Sequence, residues 1–266
     1  MSEETITIRR AETIADYVAC QQAQRRAWGI TDDSYIVPLA TMVGAQLHGG
    51  LVLGAFTDSG EALGLSFGFL GKVEGRPCLY SQLTGVVPGQ QGKGLGGRLK
   101  AAQREFAREQ GLDCLAWAFD PLQAGNAHFN LDRLGATASK YVEDMYGRRS
   151  DALNANASTD RLIAEWATVP EDRPAAPSDL DRLPRWIEVQ ERPEAVPGRI
   201  ADAEAALLEI PASIAALRQG QPELAEAWAL AVRTAFTAAF AAGFRAEGFV
   251  RDGSDDQTRH YYLLRR

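Results

Sequence analysis

One stretch, Leu79 to Gly111, narrows what this chain can fold into more than any other. Leu79, Leu83, Val86 and Val87 read as a strand that Pro88 stops. A loop with glycines at 89, 92, 94, 96 and 97 follows. Leu95, Leu99, Ala102 and Phe106 then recur at helical spacing, with Arg98, Lys100, Arg104 and Arg108 mostly on the other faces, and Gly111 stands where a helix ends. Strand, glycine loop and helix N-terminus in that order suit an anion. The first turn has N–H groups without intrahelical partners, the dipole is positive there, and glycine admits a bulky anion to the backbone. Lys93 and Arg98 add charge nearby. The same residues also fit a glycine-rich connection that binds nothing.

Two nucleotide fingerprints fit poorly. Gly92, Gly94 and Gly97 spell G-x-G-x-x-G, and Asp120 ends the next apolar run. A dinucleotide fold wants its first glycine directly after the strand, yet Pro88-Gly89-Gln90-Gln91 separates Val87 from Gly92. No G-x-x-x-x-G-K-[ST] can be written here. A third reading is Q-x-x-G-x-G, from Gln91 to Gly96 with Val86-Val87-Pro88 before it. This resembles the acyl-CoA pyrophosphate loop of the GNAT (GCN5-related N-acetyltransferase) superfamily.

The resemblance implies an α/β (α+β) fold, a mixed sheet whose central strand and its parallel neighbour splay apart to admit pantetheine. It implies acetyl-CoA or another acyl-CoA as cosubstrate, held by Val86, Val87, Gln91, Gly92, Lys93, Gly94, Leu95, Gly96, Gly97 and Asn126. A backbone N–H near Val86 or Val87 would polarise the thioester carbonyl. Gly85, a glycine inside the strand, marks either a bulge and close backbone approach or a packing accommodation. Asn126 corresponds to the family's pantetheine asparagine, and Leu134-Gly135 to its helix-ending pair; the spacing from Asn126 to Gly135 is shorter than usual. Leu131 stands where many members carry a tyrosine that protonates the leaving thiolate. Trp117 to Leu122 followed by Asn126 to Asn130 resembles an atypical branch with a C-terminal extension, some of whose members are associated with N-acylamino acid metabolism. That implies an amino-acid-like amine as acceptor.

The catalytic groups are therefore sought elsewhere. Tyr141 and Tyr146, on the strand after the helix, are candidate acids, since a phenol with a pKa near 10 can donate to a thiolate; either one taken singly fits a half-buried strand aromatic better. The central strand offers Ser81, Gln82 and Thr84 but no carboxylate. Ser81 and Gln82 are assigned to the acceptor, and Asp120 or Glu143 to the base, although Asp120 before Pro121 also fits a turn. His48 and His260 are isolated, and His128 lies close to Asn126.

Composition narrows the alternatives. A net charge of −7 and the lack of a dense basic run disfavour nucleic acid as a partner. Cys20, Cys78 and Cys114 are scattered without C-x-x-C, which argues against a disulfide scaffold or metal site and for a reducing, cytoplasmic location. No apolar run reaches membrane-spanning length, and MSEETITIRRAE lacks a secretion signal's apolar core.

Along the chain, Thr5–Arg9 reads as a strand, 13–28 and 38–47 as helices, and 51–56 and 63–70 as a hairpin about Asp58-Ser59-Gly60. After the loop and its helix come a strand (112–119), a helix (126–134) and strands at 139–146 and 161–168. Six of the twelve prolines fall between Pro170 and Pro197. The expected division is an acyltransferase domain over 1–168, a linker over 169–204 with a short strand at 186–189, and a smaller α+β extension over 205–266. In that extension a strand (205–210) precedes a helix from Pro222 to Gly243 with a Leu224, Trp228, Phe236 and Phe240 face, then two strands.

The sequence thus points to direct attack of an amine on an acyl-CoA thioester through a tetrahedral intermediate, with a small-molecule amine as partner and a homodimer allowed. A non-catalytic acyl-CoA sensor and a nicotinamide-dependent oxidoreductase are the alternatives.

Overall fold

A computed structural model of the protein describes residues 5–147, 158–170, 172, 177, 179–199, 203–253 and 258–266. The chain forms two compact units, Met1–Trp117 with Trp166–Glu171, and Ala118–Glu165 with Asp172–Arg266. The residues from 205 on therefore share a unit with the strands at 137–142 and 161–165. Six residues of the proline-rich segment lie outside the described residues.

In the first unit β1 (Thr7–Arg10) leads into α1 (Ile14–Trp28) and α2 (Leu39–Leu47), then β2 (Leu51–Phe56), β3 (Ala62–Val73), β4 (Arg76–Val86), α3 (Leu95–Glu109) and β5 (Cys114–Phe119). Thr13 caps α1 reciprocally: its hydroxyl accepts from the Asp16 N–H while the Asp16 carboxylate accepts from the Thr13 N–H. The strands run β1-β2-β3-β4-β5, antiparallel through β4, with β4 and β5 parallel. Three antiparallel pairs ahead of the glycine loop are not a dinucleotide fold's parallel sheet. This order, with its single parallel pair, is the one that the Gln91–Gly96 resemblance implies.

Two features of β4 differ from expectation. Phe67 pairs with Leu83 and Gly68 with Ser81, so the extra residue of the bulge is Gln82 rather than Gly85. Gly85 sits in register opposite Leu65, and a Cβ there would lie 2.4 Å from Trp28 Cη2. Gly85 is thus the packing accommodation, shaped by the last side chain of α1.

Helix α3 also presents a different face from the one its apolar spacing predicts. Its buried residues are Leu95, Leu99, Lys100, Gln103 and Ala107, whereas Ala102 and Phe106 are half-buried. Two polar side chains therefore occupy core positions against β4.

In the second unit, α4 (Ala124–Ala127) continues as a π-helical turn, His128–Arg133, in place of one regular helix. β6 (Thr137–Val142) pairs with β7 (Arg161–Ala167) and with β11 (Arg245–Asp252); β11 pairs with β12 (Arg259–Arg265), and β12 with β10 (Ala205–Ile210). A separate ribbon joins β8 (Ile187–Val189) to β9 (Pro193–Ala195), and α5 (Ile214–Gly220) precedes α6 (Pro222–Ala241). β9 and α5 had no clear sequence signal. The predicted aromatic face of α6 is real: Trp228, Val232 and Phe236 are buried, and Phe236 meets Tyr262 edge-on.

Candidate functional site

The site begins where β4 and β5 part. Their parallel ladder runs from Cys78↔Cys114 to Tyr80↔Ala116 and stops, while β4 continues to Val86. The Val87 N–H donates to Leu63 O at 3.0 Å, so it is not available to polarise a carbonyl. Alternation along an antiparallel pair turns the neighbouring Val86 N–H to the opposite edge, where the parallel ladder has already ended. Of the two residues named for that role, Val86 is the one whose N–H the β3 ladder does not take up.

The loop from Val87 to Gly94 folds back on β4. Gln91 Nε2 donates to Val86 O at 3.1 Å, which fixes the loop and spends part of the Gln91 side chain on the backbone. Gly92 and Gly94 have φ of 77° and 80°, a region closed to most side chains, and no atom lies within 4 Å of where a Cβ would stand on either. Gly94 is the N-cap of α3, and no side chain caps that end. The orphan N–H groups of the first turn are therefore left to solvent or to an anion, beside an exposed glycine backbone. A Cβ on Gly96 would lie 3.9 Å from Val86 Cγ2, an ordinary contact, and Leu95 anchors the turn in the core. Lys93 is exposed and donates to Gln90 Oε1 at 3.2 Å, while Arg98 donates to Ile6 O at 3.1 Å. These features fit a pyrophosphate.

Ser81 and Gln82, assigned from sequence to the acceptor, separate at the bulge. Gln82 is exposed, but Ser81 is buried and bonded to Gln103 Oε1 and to Lys100 Nζ, each at 2.9 Å. Thr84 joins them directly, its hydroxyl 3.3 Å from Ser81 Oγ and 3.4 Å from Gln103 Oε1, and it carries Ser66 Oγ at 2.9 Å. The bulge puts Ser81 and Thr84 on the same face, and a polar cluster gathers under α3 that sequence reasoning did not anticipate. Its signal was there in Lys100, four residues after Gly96, and in Gln103, one turn from both Leu99 and Ala107, at positions an ordinary core helix fills with apolar side chains.

The remaining candidates lie in the second unit. Asn126 is exposed on α4. Asp120 accepts from the Leu122 N–H at 2.9 Å and pairs with Arg218 at 3.5 Å, which is turn and ion-pair geometry. The Tyr141 hydroxyl donates to Asp160 Oδ2 at 2.7 Å, and its ring stacks on Phe236. Burial, with the Asp160 bond, raises the Tyr141 pKa well above the ordinary phenol value. A proton held in that way is poorly placed to serve a thiolate. Tyr146 is exposed on its outer side, its ring under Arg161 at 5.3 Å. Glu143 pairs with Arg233 at 3.2 Å. Among the described residues no three His, Cys, Asp or Glu gather to hold a metal, and no helix is long and apolar enough to cross a membrane.

No protein-family model matches the chain, and no curated protein matches it. Among solved structures, it is similar to the ribosomal-protein-S18-alanine N-acetyltransferase of Escherichia coli, at 17% identity over 65% of this chain and 99% of that one, with a TM-score of 0.48. A protein from Salmonella typhimurium described as an acetyltransferase with its cofactor acetyl-CoA matches at 23% identity, 65% and 99% coverage and a TM-score of 0.47. A GNAT-family acetyltransferase from Staphylococcus aureus matches at 13% identity, 62% and 100% coverage and a TM-score of 0.42.

Proposed function

We propose that this protein is an acyl-CoA-dependent N-acyltransferase acting on a small, amino-acid-like amine. The observation that carries the reading is the join of two features in one unit: an uncapped helix N-terminus behind the Gly92–Gly94 turn, and a β4 edge freed from its parallel neighbour beyond Tyr80. The first suits the pyrophosphate of CoA. The second offers backbone groups, the Val86 N–H among them, along which an extended arm can lie. Acyl-CoA enters as a substrate, and the chain's own residues bind and orient it.

Calorimetry and thermal melting with CoA and with NADPH test the reading. CoA is expected to bind and, at a hundredfold excess over Kd, to stabilise by about 2.7 kcal/mol, whereas NADPH leaves the melting temperature unchanged. Gly94→Glu should abolish CoA binding. Gly94→Ala carries the same φ strain, of roughly 1–2 kcal/mol, without the repelling charge, and is expected to retain weakened binding. Unchanged CoA affinity in folded Gly94→Glu would move the anion site elsewhere.

A further inference from the structure

Lys100 is a buried amine for which neither the loop nor the β4 edge gives a use. It is 5% exposed, on the face of α3 that packs against the sheet. It lies where the parallel ladder ends: Tyr80↔Ala116 is the last pair, and the next residue on each strand, Ser81 and Trp117, meets Lys100. Nζ donates to Ser81 Oγ at 2.9 Å and stands 3.8 Å from the centre of the Trp117 ring. The Ser81 hydroxyl donates onward to Gln103 Oε1, so Ser81 offers the lysine only its acceptor side. Among the described residues no carboxylate pairs with Nζ. Arg104, next to it on α3, is turned toward the Trp166 ring and donates to the Ala167 carbonyl.

A lysine in such surroundings is expensive to bury as a cation, which favours the neutral amine and its lone pair. Burial alone, with no charged neighbour contributing, pushes its pKa well below the ordinary value. The reaction proposed above needs a proton carrier, and β4 has no carboxylate to serve as one. A substrate anchored by its phosphates at the α3 N-terminus and laid along β4 from Val86 toward Ser81 covers about 16 Å of strand. Its far end then arrives beside Lys100.

Resting on the acyl-CoA reading, we propose that Lys100 is the proton carrier of the acyl transfer. As the acceptor nitrogen bonds to the thioester carbonyl carbon, one of its protons passes to Lys100 Nζ. As the carbon–sulfur bond breaks, the ammonium so formed returns that proton to the CoA sulfur. Amide and CoA thiol leave, the lysine ends as it began, and no other reactant is consumed.

The test follows the ε-carbon resonance of Lys100 in protein labelled with carbon-13 lysine, titrated alone, with CoA, and with desulfo-CoA, which lacks the thiol. A thiolate in contact favours the ammonium, so CoA is expected to move the Lys100 titration upward while desulfo-CoA leaves it in place. Lys100→Met is expected to bind CoA within about tenfold of wild type. Its acetyl transfer from acetyl-CoA to an equimolar mixture of amino acids should fall by about 100-fold or more. Identical Lys100 titrations with both ligands bound overturn the proposal, as does an acetyl group found on Lys100 itself by peptide mass mapping. If Lys100→Met fails to fold, the wild-type titrations decide alone. Failure of wild type to bind either ligand overturns the acyl-CoA reading together with this one, so the two failures are told apart by calorimetry.

Discussion

At the scale of single residues, Gly85 shows how one missing Cβ sets a contact. Trp28 closes α1 with its ring against the Gly85 backbone; an added Cβ would lie 2.4 Å from Cη2 and 2.7 Å from Cζ3. Gly85→Ala should therefore destabilise the fold by about 1–3 kcal/mol, the usual cost of overpacking. In the Trp28→Leu background the same substitution should cost much less, because the clashing ring is gone. Urea denaturation of both single variants and the double variant checks this, and strict additivity would mean that the strain lies elsewhere. The sequence marked Gly85 as special without saying why, since a glycine in a strand accompanies a bulge and a close neighbour alike. The bulge residue itself, Gln82, carries no local mark. Only its pairing shows it, with Ser81 and Leu83 opposite consecutive residues of β3.

At the scale of elements, α1, α2, α3 and α6 were legible in position and less so in their faces. Apolar spacing on α3 selected Leu95, Leu99, Ala102 and Phe106, but the buried stripe runs through Lys100 and Gln103. A hydrophobic pattern assigns polar residues to solvent by default, so it misses a helix that buries them for chemistry. On α6 the pattern and the structure agree for the aromatic face, yet the residue that ties the helix down is charged. Arg233 holds Asp160 Oδ1 at 2.7 Å and Oδ2 at 2.8 Å and reaches Glu143 and Asp144. Burial works to raise the Asp160 pKa, but the bonds from Arg233, the Asp144 N–H and Tyr141 outweigh it and lower it below the ordinary value. A depressed folded pKa contributes stability above the unfolded value, about 3.9, that is lost as pH falls toward the folded one. Arg233→Met leaves the buried carboxylate without its cation, and the expected loss near pH 7 is about 3–5 kcal/mol. Protonating Asp160 removes the charge that is stranded, so the gap between variant and wild type should narrow as pH drops below about 4. Denaturation at the two pH values decides; an equal gap at both would mean that Arg233 acts through packing alone.

At the scale of the whole chain, the proline-rich segment from Pro170 to Pro197 marks in sequence the border of the first expected domain, and the contacts within the second unit cross that border. β6 pairs with β11 through Ala138↔Ala246, Tyr141 stacks on Phe236 of α6, and Asp160 depends on Arg233. The Tyr262 hydroxyl on β12 donates to the Pro121 carbonyl at 2.7 Å. Each of these joins a residue before position 168 to one after 205, and none is visible to local periodicity, which sees neighbours in sequence only. A chain ended at Thr168 keeps β6 and β7 but loses the strand beside β6, the ring over Tyr141 and the cation on Asp160. The first two expose apolar surface worth on the order of 1.5–3 kcal/mol for each large side chain, and the third strands a buried charge. Such losses together exceed much of the roughly 5–15 kcal/mol that holds a typical domain together. Residues 1–168 alone are therefore expected to lack a cooperative thermal transition by calorimetry. Adding residues 203–266 as a separate chain should restore one, since that segment supplies the missing partners. A sharp, unassisted transition in the 1–168 chain would show that the first part stands by itself and that the second is dispensable for its fold.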